Sequence, residues 1–416
     1  MSQVREIPEA DLDDFITIAA NAYPSFQIAS EEERQRLKQR LQTRSEDPEY
    51  HLYGLYREGK LLGGMALFDF TMNMLSTKIQ AGGVGLVAVD ILHKKEKVAR
   101  DMISAFLEHY RERRAPMTLL YPFRPDFYRK MGFGYGTKMN HYRVRPIDLP
   151  GGGDKRQVAF LQQDDKPMLL DCYNRCVEST HGMIEKSRFE LNSTFNNLEN
   201  RIVGYKQDGK VTGYIVFTFK PAKIDNFNLN DINIKEFIYT TREALAGLMA
   251  FLRSQSDQIN RIFFNTQDEY FHFLPFDPRN DSNNIIPHVY HESNTQGVGI
   301  VYRVVDTPGI FDVLADHNFG GQSCKLKLTI DDAFFPVNDT STIVHFTDGK
   351  AQIGEDGDYQ AEIRLDIAEF SSLLVGAVPF KRLYDYGLAD ISDSRYVETV
   401  NKIFLTETKP VCTTPF

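Results

Sequence analysis

His93-Lys94-Lys95-Glu96-Lys97 is a dense basic turn, and its position suggests chemistry. Upstream lies a short apolar run, Leu86-Val87-Ala88-Val89, behind Gly82, Gly83 and Gly85. Downstream, Val98, Met102, Ile103, Phe106, Leu107 and Tyr110 recur at helical spacing. The pattern predicts a buried strand, a turn and an amphipathic helix. The first turn of a helix offers free backbone N–H groups and the positive end of its dipole, so this junction is a ready anion site. On charge alone, a solvated basic connection is the better-supported reading of the turn, since basic turns are common. No G-x-x-x-x-G-K-[ST] occurs, which excludes a P-loop. Cys172 and Cys176 share a helix face, but no second pair has zinc spacing, so they read as core thiols and no metal is expected. His93 and His141 are candidate bases on residue type, with surface or capping roles as the simpler reading.

The elements around this turn come in a clear order. Residues 9–23 form a helix with Leu12, Phe15, Ile16 and Ala19 on one face, and 31–44 a charged second helix. Residues 50–70 form a hairpin turning at Arg57-Glu58-Gly59-Lys60. The strand and helix of 81–113 come next, then a strand at 117–122, a short helix at 126–131 and a strand at 139–145. Pro150-Gly151-Gly152-Gly153 reads as a linker. The pattern then repeats. Gly59-Lys60-Leu61-Leu62-Gly63 finds an echo in Gly209-Lys210-Val211-Thr212-Gly213, and Met102–Leu107 in Gly247–Leu252. In the second copy the turn is Thr240-Thr241-Arg242-Glu243-Ala244, without the lysines, and no cofactor is expected there. From about Val298, alternating strands with Asp-Gly turns surround helices at 308–316 and 367–375, an α+β pattern.

Bulk properties narrow the class. The chain has 416 residues, 42% hydrophobic, with a net charge of −9. That charge disfavours a general nucleic-acid binder. No apolar run approaches the ~20 residues that cross a bilayer. The polar, acidic N-terminus and four cysteines fit a reducing cytoplasm.

The spacing in the basic turn is more specific than its charge. Lys94-Lys95-Glu96-Lys97-Val98-Ala99 resembles the acetyl-CoA pyrophosphate loop of GNAT acetyltransferases, with Lys97 where the family has its first glycine. The order β-α-α-β-β-β-α-β-α-β, given a short strand before Pro8, is also the GNAT order. A closer resemblance covers the whole chain: the Eis (enhanced intracellular survival) acetyltransferases. It rests on V-A-V-x-x-x-H-K-K at 87–95, on Phe127-Tyr128-Arg129-Lys130-Met131-Gly132-Phe133-Gly134-Tyr135-Gly136, on Val301-Tyr302-Arg303-Val304-Val305-Asp306, and on the terminal Phe416.

The resemblance implies an α/β (α+β) chain of two tandem GNAT-like domains followed by a sterol-carrier-protein-like domain. The boundaries would be 1–150 (catalytic), 151–297 (degenerate) and 298–416 (delivering the C-terminus). It implies an acetyl-CoA-dependent N-acetyltransferase acting on small-molecule amines such as aminoglycosides, polyamines or lysine, in a homohexamer. Acetyl-CoA would be a donor substrate, with direct transfer in a sequential mechanism. Tyr128 takes the place of the general acid, and the terminal carboxylate of Phe416 that of the general base. Cofactor contacts fall on Val87, Ala88 and Val89, on Lys95, Glu96, Lys97, Val98, Ala99 and Arg100, and on Phe123 and Arg124. One departure concerns the acceptor. Aminoglycoside-acetylating relatives carry an acid after the first helix and another at the penultimate position. Here the corresponding residues are Ala22-Tyr23-Pro24-Ser25-Phe26 and Pro415, which points away from aminoglycosides. The rival class is a non-catalytic lipid carrier or scaffold with a degenerate GNAT domain; binding of acetyl-CoA separates the two.

Overall fold

The computed structural model describes every residue except 1, 25–29, 224–225, 288–289 and 356, together with the side chain of residue 227. It is a mixed α/β chain that divides into two compact units. One takes Met1–Gly136, Ile300–Pro410 and Pro415–Phe416, the other Thr137–Gly299 and Val411–Thr414.

The first unit begins with β1 (Ser2–Glu6), the short strand that the GNAT order requires. Helix α1 (Leu12–Ala22) comes next, its buried face Leu12, Phe15, Ile16 and Ala19 as the spacing predicts. Helix α2 (Glu31–Ser45) is mostly solvated; it starts at a capping box between Ser30 and Glu33. Strands β2 (Tyr50–Arg57), β3 (Lys60–Met74) and β4 (Thr77–Val89) form an antiparallel meander. Helix α3 (Val98–Glu112), β5 (Met117–Leu120), α4 (Pro125–Arg129) and β6 (Gly134–Tyr135) complete this part.

Strand β4 changes character toward its C-terminal end in two ways. It runs parallel to β5 only at Ala81↔Met117, Gly82↔Thr118 and Gly83↔Leu119. Beyond Gly83 no β5 partner continues the ladder. The pairing with β3 also skips between Gly64↔Ala88 and Ala66↔Gly85, a bulge in which Leu86 has φ of +49°. A leucine in the left-handed region is unusual, and such bulges re-aim the strand beyond them.

The second unit repeats the plan. Its elements are β7 (Met139–Val144), β8 (Val158–Phe160), α5 (Lys166–Ser179), α6 (Arg188–Asn196), β9 (Arg201–Gln207), β10 (Lys210–Lys223), β11 (Asn226–Tyr239), α7 (Arg242–Arg253) and β12 (Ile259–Thr266). A small hairpin of β13 (Ile285–Ile286) and β14 (Tyr290–His291) precedes β15 (Asn294–Gly297). The β9–β10 turn, Asp208-Gly209, has the same pair of positive φ angles as Glu58-Gly59 in the first copy. This unit also holds the tail segment Val411–Thr414. There the Val411 N–H donates to the His181 carbonyl at 2.8 Å and the Cys412 N–H to Gln267 Oε1 at 2.6 Å.

The remainder of the first unit is β16 (Val301–Val304), α8 (Thr307–Val313), β17 (Cys324–Asp331), β18 (Ser341–Thr347), β19 (Lys350–Ile353), β20 (Ala361–Asp366), α9 (Ile367–Leu374), α10 (Phe380–Asp385), β21 (Ala389–Ile391) and α11 (Val397–Phe404). A sheet in the order β19-β18-β17-β20-β21 forms the α+β portion.

Two strands lie elsewhere than the sequence boundaries put them. Residues 139–144 do not close the first sheet; β7 sits between β12 and β15 in the second. Residues 301–304 do not open the third domain; β16 fills the gap between β5 and β6 in the first sheet. Apolar patterning identifies a strand but not its neighbours. All four residues of β16 are buried, as a central strand demands, and its Arg303 is tolerated because Asp332 accepts from it at 2.9 Å.

Candidate active site

The turn between β4 and α3 adopts two left-handed residues, Lys95 (φ +68°) and Lys97 (φ +65°). Lys97 is the N-cap of α3 and supplies no side-chain cap, so it leaves the first-turn N–H groups to other partners. This is the conformation a glycine adopts most easily, here reached by a lysine. Lys94, Lys95 and Lys97 are exposed and form no ion pair among the described residues. Glu96 is turned to other partners: Arg57 at 2.7 Å and His93 at 3.2 Å. His93 and then Arg57 hold its carboxyl below the ordinary value.

Beside this turn lies a cavity of about 500 Å³, lined along β4 by Val87 and Val89, along α3 by Val98, Ala99 and Arg100, and across from these by Phe123, Arg124 and Phe127. Lys95 and Lys97 also line it. Most of the residues matched to cofactor contacts therefore converge on one cavity. Ala88 and Glu96 do not line it: Ala88 is fully buried in the sheet, and Glu96 is held as above. Arg124 reaches it while paired to Asp126 at 2.6 Å. Lys94, the first residue of the loop pattern, also lines it, as do Ala22, Tyr23, His93 and Phe127, which were not among the predicted cofactor contacts.

Tyr128 is 3% exposed and sits on the short helix α4. Its ring meets Phe123, Phe127 and Phe133 edge-on at centroid distances of 5.8, 5.2 and 5.8 Å. Burial pushes its phenol well above the ordinary tyrosine value, and the Tyr23 phenol adds to this. The neighbouring Arg129 is ion-paired to the buried Glu369 on α9, which fixes α4 from outside.

Phe416 is anchored in the first unit by three aromatic neighbours, Phe68 at 5.5 Å, Phe70 at 5.0 Å and Tyr121 at 5.2 Å. Its carboxyl group lies against β4 at Gly85: a Cβ added there would stand 3.1 Å from the carboxyl carbon. The missing side chain at Gly85 is thus what gives the terminus its place. The rival histidines are engaged elsewhere. His93 faces Glu96 and Lys60, and His141 Nδ1 lies 2.7 Å from Asn265 Oδ1. In the second unit the corresponding helix α7 is capped by the Thr241 hydroxyl, which accepts the Ala244 N–H. Ser25 and Phe26, part of the acid-free loop, lie outside the described residues. Among the described residues no cluster suited to a metal ion occurs, and no helix is long and apolar enough to cross a membrane.

Residues 3–136 match a GNAT acetyltransferase domain, residues 182–304 a second one and residues 312–413 a sterol carrier protein domain. The chain therefore carries two GNAT acetyltransferase domains and a sterol carrier protein domain, and GNAT domains use acetyl-CoA as acetyl donor. An uncharacterized N-acetyltransferase of Streptomyces coelicolor is 26% identical over 179 residues, 39% of this chain. The match spans only 42% of that relative's length. A GCN5-related N-acetyltransferase of Anabaena variabilis is 16% identical with a TM-score of 0.82. The Eis1 protein of Mycobacterium abscessus is 16% identical with a TM-score of 0.73. Both alignments cover 100% of each chain, and they establish the fold over the whole length.

Proposed function

We propose that this protein is an acetyl-CoA-dependent N-acetyltransferase of the Eis type, with the N-terminal GNAT domain catalytic and the second degenerate. The observation that carries the reading is the cavity between the splayed end of β4 and the start of α3, with exposed lysines at its rim. An elongated donor with an anionic end fits such a site: the lysines and first-turn N–H groups take phosphates, and the edge of β4 beyond its last pair with β5 takes the amides of the arm.

An amine is mostly protonated near neutral pH and must lose a proton to attack the thioester. The Phe416 carboxylate is the base, directly or through water. Nitrogen attacks the acetyl carbon, the C–N bond forms, and the C–S bond breaks as the tetrahedral intermediate collapses. The carboxylate, having passed the first proton to solvent, takes the second from the nitrogen, and the sulfur leaves with the bonding pair and takes up a proton from solvent. Tyr128 supplies a hydrogen bond to that sulfur. Its raised pKa keeps the phenol protonated across the working range, so it acts as a donor throughout. The acceptor is a small cationic amine, polyamine- or lysine-like in preference to an aminoglycoside. Location in the cytoplasm and assembly as a homohexamer belong to the same reading.

Titration calorimetry with acetyl-CoA, followed by release of CoA thiol across a panel of amines, tests it. Affinity in about the micromolar range and amine-dependent thiol release are expected. No heat with acetyl-CoA would leave the carrier reading standing in its place.

A further inference from the structure

The basic turn holds one carboxylate, Glu96, among Lys94, Lys95 and Lys97. The three lysines line the cavity and Glu96 does not. Left loose at the rim, that carboxylate would repel the phosphates that the lysines attract. The β2–β3 hairpin is what restrains it. Arg57 ends β2 and pairs with Lys60 across the hairpin turn. Its Nη1 donates to Glu96 Oε2 at 2.7 Å, and its Nε donates to Ser2 Oγ at 3.3 Å. The planar guanidinium is thus tied on one side to β1 and presents its other side to Glu96. His93 completes the arrangement: its Nδ1 lies 3.2 Å from the same Glu96 oxygen, and its Nε2 lies 3.3 Å from Lys60 Nζ. Arg57 itself does not line the cavity.

We infer that Arg57 is a positioning residue for the donor: by holding the Glu96 carboxylate off the cavity, it leaves the rim lysines as the charge that phosphates meet. Arg57 touches neither donor nor acceptor and takes no part in proton transfer. The inference rests on the reading of this turn as the donor's phosphate site.

Arg57→Gln keeps a polar side chain and removes the charge. Its KM for acetyl-CoA should rise about 3- to 10-fold, the order that a like charge a few ångströms away imposes at a solvated rim. The turnover kcat should stay unchanged. The melting temperature should hold, because a partly exposed ion pair contributes little to stability. The second variant carries the specific signature. Glu96→Gln alone should leave KM at or below the parent value. In that background Arg57→Gln should cost nothing, because no carboxylate is left to restrain.

An equal rise in KM from Arg57→Gln in both backgrounds overturns the inference, since Arg57 would then attract the donor directly. A KM raised by Glu96→Gln alone overturns it too, since the pair would then serve the shape of the turn. An unmoved KM in Arg57→Gln, beside a strong rise when Lys95 and Lys97 are both replaced by Glu, sinks this inference alone. An unmoved KM in both removes the turn from the donor site, and this inference with it.

Discussion

At the scale of single residues, Lys97 separates conformation from charge. Its φ of +65° costs a non-glycine residue roughly 1 kcal/mol, while its ammonium stands at the cavity rim. Lys97→Gly removes both. Stability should hold or rise by up to about 1 kcal/mol, because glycine enters this region freely but gives the unfolded chain more freedom. The KM for acetyl-CoA should rise at the same time. Replacing Lys95 and Lys97 together by Glu keeps the strain and inverts the charge. Each charge-assisted contact to a phosphate is worth about 1.5–3 kcal/mol, so KM should climb at least about 10²-fold with circular dichroism unchanged. Steady-state kinetics and thermal melts of the two variants decide it; an unmoved KM in the double Glu variant removes this turn from the donor site.

At the scale of elements, β4 does two jobs with its glycines, one on each face. A Cβ at Gly82 would stand 2.3 Å from the Tyr110 ring of α3, whose hydroxyl donates to the Phe68 carbonyl and to Asp69. A Cβ at Gly85 would meet the Phe416 carboxyl carbon at 3.1 Å and Phe68 at 3.2 Å. Gly82→Ala should therefore strike the fold, with an overpacking cost of about 1–3 kcal/mol. Gly85→Ala should strike turnover by about 10-fold or more while the melting temperature and acetyl-CoA binding hold. Equal melting losses in the two variants would contradict the division of faces. The sequence made this strand legible, along with the helix α3 face and the basic turn, because those signals are local and periodic. The bulge at Leu86 was not legible, since a leucine gives no warning of a positive φ. Nor was Tyr23, a lone aromatic at a helix end whose partner is a backbone carbonyl 64 residues away. The Arg129–Glu369 pair joins α4 to α9 across the sequence and leaves no local trace either.

At the scale of the whole molecule, the chain's linear order and its sheets disagree, and the disagreement is testable. The sequence boundaries isolate 1–150 as a domain. Yet β5 is buried along its full length because β16 covers it at Val301↔Leu120, Tyr302↔Leu119, Arg303↔Thr118 and Val304↔Met117. A fragment of residues 1–150 would expose that edge and the apolar side chains beneath it, so it should aggregate or remain unfolded. A soluble, cooperatively melting 1–150 fragment would show that β16 is dispensable to the first sheet. The terminus makes the same demand on the chain's far end. The Phe416 ring is held by Phe68, Phe70 and Tyr121, and its carboxyl lies at Gly85. A terminal carboxylate offers acceptor oxygens that can take a proton from an amine. Adding a few residues after Phe416 turns that carboxylate into a peptide and forces bulk against Gly85. Deleting Phe416 leaves a carboxylate on Pro415 but loses the aromatic anchor and shortens the reach by at most about 3.6 Å. Misplacement by about 1 Å already costs on the order of 10²-fold in rate. Both changes should nearly abolish amine-dependent thiol release while calorimetry still detects acetyl-CoA. Full activity in a C-terminally extended protein transfers the base role to a side chain or a water relay.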